Sequence, residues 1–99
     1  MVRVSYEIKS DEGLHARPAS DFCAAAAKFT SKITIEKDGE EYDGKSILMV
    51  LCVGAVKGDV IEIIADGDDE QAAIDELIKT LDAEWYKWKF LKESAELRV

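Results

Sequence analysis

The chain has 99 residues, 47% of them hydrophobic and 34% charged, and a formal net charge of −8 at pH 7. That length suits one domain with a single marginal core, and the acidity makes nucleic acid a poor partner. No apolar run approaches the roughly 18 residues of a membrane span, so no stable membrane insertion is expected.

The N-terminus, MVRVSYEIKS, alternates Val2, Val4, Tyr6 and Ile8 with polar residues. This is the pattern of a half-buried strand, without the apolar core of a signal peptide, so a cytoplasmic location is expected. Asp11-Glu12-Gly13 breaks the strand. From about Ala16 to Lys28 the spacing turns helical, with Ala19, Phe22, Cys23 and Ala26 on one stripe. Ile33 and Ile35 mark a second strand, Asp38-Gly39 a hairpin turn, and Tyr42 a short third strand. Ser46 can cap a short helix holding Ile47, Val50 and Leu51, which Gly54 can end. Lys57-Gly58-Asp59 reads as a turn, and Val60 to Ala65 as a fourth strand with Ile61, Ile63 and Ala65 on one face. Asp68 with Gln71 resembles a capping box for a third helix, along which Ile74, Leu77, Ile78 and Leu81 form the apolar stripe.

The order β-α-β-β-α-β-α, with alternating strands, implies a two-layer α+β sandwich: a sheet wet on one face and covered on the other by three helices. Cys23 and Cys52 lie in apolar runs and read as reduced, buried thiols. With no CxxC spacing and one histidine, no metal is expected. No Gly-rich nucleotide cradle is present, so no cofactor is expected.

The chemistry concentrates in Gly13-Leu14-His15-Ala16-Arg17-Pro18-Ala19. Pro18 belongs in the first turn of a helix, which places His15 at or just before its start. The amide N–H groups of Ala16 and Arg17 then lie unbonded beside the imidazole, and a helix N-terminus favours anions. Arg17 adds donors matched to phosphate oxygens. Near neutral pH an imidazole is substantially unprotonated, and a ring nitrogen can attack phosphorus. The donor would be a phosphorylated partner. A lone histidine in a strand-to-helix loop can equally be structural, and the residues alone leave that choice open. Charge is uneven: residues 1–58 carry a net −1 and residues 59–99 a net −7. The first half is therefore the better place to hold an anionic group.

GLHARPAS, with Lys45-Ser46-Ile47 and the element order, resembles the HPr family, the histidine-containing phosphocarriers of the bacterial phosphoenolpyruvate:sugar phosphotransferase system. The resemblance covers residues 1 to about 85. It implies an open-faced β-sandwich of four antiparallel strands under three helices. It also implies a carrier, not an enzyme, phosphorylated on Nδ1 of His15 with Arg17 as active-site partner. Enzyme I would be the donor and EIIA domains of sugar permeases the acceptors. Ser46 matches a regulatory serine phosphorylated by HPr kinase/phosphorylase, and Ile47 and Leu48 match an apolar docking patch. A plain serine cap and core positions remain the alternatives for these three residues.

Three function classes follow. The first is the phosphocarrier. The second is a regulatory relative, either a corepressor for a catabolite-control transcription factor through phospho-Ser46 or a member of the nitrogen-related branch. Relatives without carrier activity lack histidine at the position of His15, which argues against regulation as the sole function. The third is a ligand-binding module without phosphotransfer. Two departures bear on partners. Where the family often places bases on the first helix, this chain has Asp21 and then Cys23-Ala24-Ala25-Ala26-Ala27. Residues 86–99 are a C-terminal extension, expected to continue the third helix. Trp85, Tyr86, Trp88 and Phe90 supply four of the chain's eight aromatics. Folding back onto the domain, a dimer or partner contact through Trp85, Trp88 and Phe90, and, least favoured because charges balance over residues 82–99 and the chain is acidic, contact with a membrane surface are the readings of that segment.

Overall fold

A computed structural model describes residues 1–11 and 13–96, with the side chains of the last helix described as far as Ala83. The alternating N-terminus becomes β1 (Val2–Glu7), with Tyr6 buried and Arg3, Ser5 and Glu7 exposed. It is followed by α1 (Ala16–Ala26), β2 (Lys32–Lys37), β3 (Glu40–Asp43), α2 (Ile47–Cys52), β4 (Val60–Asp66) and α3 (Glu70–Glu96). The sheet order is β1-β4-β2-β3, and every neighbouring pair is antiparallel. Asp38 and Gly39 join β2 to β3 with φ of +53° and +82°, the left-handed pair that a tight hairpin needs.

One face of the sheet builds the core. Ile33 and Ile35 of β2 stand beside Ile61, Ile63 and Ala65 of β4, and Phe22, Ala26, Val50, Ala73 and Leu77 of the helices close over them. Phe22, Ile35, Ile61, Ile63 and Leu77 are completely buried. Each such side chain contributes about 1.5–3 kcal/mol relative to exposure, so this layer supplies most of the stability.

The opposite face is less open than the alternation predicts. Ile64 and Thr34, cross-strand partners at the middle of the sheet, are also buried. Arg3 stands directly across from Ile64, and its guanidinium donates to Glu36 at 3.2 Å and to Glu62. A charged cluster thus roofs a small apolar centre.

Three further expectations need correction. The third helix does not start on an Asp68–Gln71 capping box. It begins at Glu70, and the Gln71 amide donates to Asp75 at 3.1 Å. The carboxylate of Asp69, just before the helix, instead accepts from the N–H groups of Thr30 and Ser31, both at 2.9 Å, and from the Ser31 hydroxyl. A tertiary partner with three donors outcompetes the local cap. The α1 helix ends at Ala26 instead of Lys28, because the N–H groups of Lys28 and Phe29 turn back to Ala25 and Ala26. The thiols are free, but Cys52 is exposed and Cys23 only half-buried. Of α2 only Val50 is buried, so Cys52, and Leu51 with it, fall outside the contact.

α3 is fixed near both limits of its described side chains. Asp69 binds Thr30 and Ser31 just ahead of β2, while Asp82 accepts from the Tyr6 hydroxyl at 2.7 Å and the Lys9 ammonium at 3.0 Å. Burial pushes the Asp82 carboxyl up, but those two hydrogen bonds outweigh it and leave it lowered. Bonds from the Ser31 hydroxyl and the Thr30 N–H hold the Asp69 carboxyl down to about 2.

A depressed carboxyl contributes stability that is fully present above its unfolded pKa of about 3.9 and is lost as pH falls through its folded value. Urea unfolding across the acid range should therefore show stability falling from about pH 4 toward pH 2. Asp69→Asn should be less stable at neutral pH and lack that part of the acid dependence. An identical acid profile in the two proteins would refute the linkage.

Candidate phosphoryl-transfer site

β1 leads into the segment that carries His15. Gly13 has φ +66°, and its N–H donates to the Ser10 carbonyl at 3.0 Å. A β-carbon at Gly13 would stand 2.5 Å from the Ala55 carbonyl oxygen and 3.0 Å from the Val56 α-carbon. Glycine is thus needed for conformation and for space. The N–H of the next residue, Leu14, donates to that Ala55 carbonyl at 3.0 Å, and its side chain is buried.

His15 is the N-cap of α1, with extended backbone (φ −84°, ψ −172°) and no capping hydrogen bond from its side chain. Its carbonyl accepts the Ala19 N–H at 2.8 Å, so the helix starts without using the imidazole, which is exposed. Ala16 and Arg17 are the first two helical residues, whose N–H groups have no intrahelical carbonyl to bond. Pro18 is third, buried, with no N–H to satisfy. An exposed ring nitrogen, two amide donors and a guanidinium therefore share one helix start. That arrangement can hold the charge that develops when a phosphoryl group moves onto the ring.

The Ala55 loop is the part of the site that sequence reasoning missed. Val56 and Asp59 bond each other, through Val56 N–H to the Asp59 carboxylate and Asp59 N–H to the Val56 carbonyl, both at 2.9 Å. The same turn clasps the end of β1, with Ile8 N–H on the Asp59 carbonyl and Gly58 N–H on the Ile8 carbonyl. Lys57 reaches Asp11 at 2.8 Å. The only sequence signals were Gly54 and the Lys57-Gly58-Asp59 turn, which mark a bend but not what it holds.

Ser46 is the N-cap of α2, and its hydroxyl accepts the Met49 N–H at 3.4 Å. It sits at the N-terminal end of α2, a six-residue helix about 9 Å long, whereas Ala55 follows the C-terminal end. Ile47 and Leu48 are 42% and 73% exposed, and Met49 and Leu51 are exposed beside them, so the core alternative fails for both positions. The structure thus brings His15, Ala16 and Arg17 together at one helix start. The Leu14–Ala55 bond sets the segment that follows α2 beside that helix start, and Ser46 lies at the opposite, N-terminal end of α2. No group of three or more potential metal ligands occurs among the described residues. The side chains of Trp85, Trp88 and Phe90 lie outside the described residues. No helix among the described residues is long and apolar enough to cross a membrane.

Residues 2–83 match the family model described as the PTS HPr component phosphorylation site. The chain belongs to the HPr family. It is 42% identical over 84 residues to the HPr-like protein Crh of Halalkalibacterium halodurans, covering 85% of this chain and all of that one. It is 39% identical over 83 residues to the phosphocarrier protein HPr of Borreliella burgdorferi, covering 84% and 96%. Among solved structures, HPr-C-His from Thermoanaerobacter tengcongensis superposes with a TM-score of 0.81 at 41% identity, covering 86% and 96%. HPr proteins are phosphocarriers rather than catalysts, and they act with the enzymes of the phosphotransferase system. The four-stranded antiparallel sheet under three helices is the arrangement of the solved HPr structures.

Gly13→Ala should lose about 1–3 kcal/mol of stability from the left-handed backbone and more from the clash with Ala55, read as a lower urea midpoint. A midpoint within error of wild type would show that the Gly13–Ala55 approach is not a constraint.

Proposed function

We propose that this chain is a carrier of the phosphoenolpyruvate-dependent sugar phosphotransferase system, taking a phosphoryl group from enzyme I on His15 and passing it to EIIA domains. The observation that carries this reading is the exposed imidazole at the start of α1, not engaged in capping, in a chain of this family. The lone pair of Nδ1 attacks phosphorus as the bond from phosphorus to the donor breaks, and a phosphoramidate forms on the ring. The Ala16 and Arg17 N–H groups and the Arg17 guanidinium stabilise the transferring oxygens. Transfer to an acceptor reverses these steps. Ile47 and Leu48, exposed on α2, form the apolar docking surface.

Similarity to Crh supports a second role at Ser46. A phosphate there, added by an HPr kinase/phosphorylase, would place negative charge at the edge of the α2 docking face and change which partners bind. A catabolite-control transcription factor is the partner that this role implies.

Incubation with phosphoenolpyruvate and enzyme I should add one acid-labile phosphate that His15→Ala abolishes and Arg17→Ala slows. A phosphate that persists in His15→Ala, or no label on the wild type, would sink the carrier reading. ATP-dependent label on Ser46 with a cognate kinase would support the regulatory role instead. Leu48→Asp should keep the wild-type urea midpoint, because its side chain is 73% exposed, yet slow transfer from enzyme I. Unchanged transfer would remove Leu48 from the docking surface.

A further inference from the structure

The direction of α3 has a bearing on how a partner reaches His15. At Asp69 the helix is bound to Thr30 and Ser31, just beyond the C-terminal end of α1. At Leu81 it lines one crevice with Gly13, Leu14 and Pro18, at the N-terminal end of α1. Asp82, one residue on, is held by Tyr6 and Lys9. α3 therefore runs antiparallel to α1 and arrives at the His15 end of the domain. It does not stop there, because the helix continues to Glu96. The thirteen residues from 84 to 96 amount to about 20 Å of helix.

Charge gives that extension a use. A phosphorylated donor presents an anionic group and must approach a chain of net charge −8. The helices around His15 do little to offset this. α1 carries Arg17 and Asp21 and no base in its last turn, and α2 carries no charged residue at all. Residues 85–92, Trp-Tyr-Lys-Trp-Lys-Phe-Leu-Lys, hold three lysines and no acid. The three acids of the extension, Glu84, Glu93 and Glu96, lie outside that stretch, so its lysines and aromatics are contiguous, and the course of α3 carries it out past the His15 end.

We propose that the extension of α3 is a second docking element, in which Lys87, Lys89 and Lys92 with the neighbouring aromatics engage an acidic, partly apolar surface of the phosphorylated donor protein beside His15. It rests on the carrier reading. The lysines steer the anionic partner, and the aromatics add contact area once the complex forms.

The test measures phosphoryl transfer from phosphorylated enzyme I to the full-length chain at low and high ionic strength. Lys87→Glu with Lys89→Glu is compared with Lys28→Glu plus Lys32→Glu, exposed sites near the opposite end of α1 that change the net charge equally. The extension variant should be about tenfold slower at low salt. The difference should shrink near 1 M salt, where the screening length is about 3 Å. The Lys28/Lys32 variant should stay close to wild type. Lys87→Gln with Lys89→Gln should fall between, and helicity by circular dichroism should be unchanged in all variants. Equal slowing by both reversals would reduce the effect to net charge and overturn the proposal. So would wild-type rates in the extension variants. If they alter only sedimentation, with transfer unaffected, the extension serves a second copy of the chain and the proposal also falls. A wild type that takes no label removes the carrier reading itself, whereas a labelled wild type with unaffected variants removes only the docking element.

Discussion

The hydrogen bond from the Leu14 N–H to the Ala55 carbonyl is the contact on which the site depends. It joins the segment before α1 to the segment after α2, two pieces of chain some forty residues apart. Gly13 must lie against Ala55 for it to form, and the buried Leu14 side chain locks the result. With Leu14 fixed, His15 has little backbone freedom left. Its φ and ψ, the start of α1 and the exposure of the ring all follow. The same contact sets the segment that follows α2 beside the start of α1. The candidate nucleophile at this loop-to-helix junction is thereby held almost as firmly as a side chain on a strand.

Around that contact, packing and polar bonds do different jobs. The isoleucines of β2 and β4 with Phe22 and Leu77 supply the free energy. Exposed ion pairs such as Lys57 with Asp11 contribute little to it. Two carboxylates, one just before α3 and one on it, act mainly on position. Asp69 and Asp82 fix the helix at β2 and at the end of β1, so its line across the sheet is set by bonds with direction as well as by an apolar stripe that could slide. The polar clusters thus determine where the helix ends point, and that is what matters to an approaching partner.

Much of this was legible in the residues. Alternation at Val2 to Ile8 and at Val60 to Ala65, Asp38-Gly39 as a hairpin, and Pro18 inside a first helical turn each have one local cause, and each took its expected form. What sequence could not supply was tertiary competition. Asp68 reads as the cap of α3, and nothing local shows that Asp69 beside it will be taken by Thr30 and Ser31. Cys52 sits in an apolar run, but α2 touches the core through so few residues that the thiol faces out. Ile64 and Thr34 looked like outward positions until the sheet order brought them together beneath Arg3. For the candidate site, His15 and Arg17 stood out through chemistry, while Ala55 has no side-chain signature. Its role lies in a carbonyl, which every residue carries.

The sheet order has a consequence for how the chain is assembled. β4 lies between β1 and β2, so β1 has no neighbour in the sheet until the chain has been made as far as Asp66, and Val2 must wait for Ala65. Only the β2–β3 hairpin can form from residues close in sequence. The loop that carries His15 follows directly on β1, so it too is undefined until that late pairing closes. Folds dominated by distant pairings are slow to form, and closing so long a loop costs entropy before any contact repays it. During synthesis β1 emerges well before β4, the strand it pairs with, and is among the last to find its place.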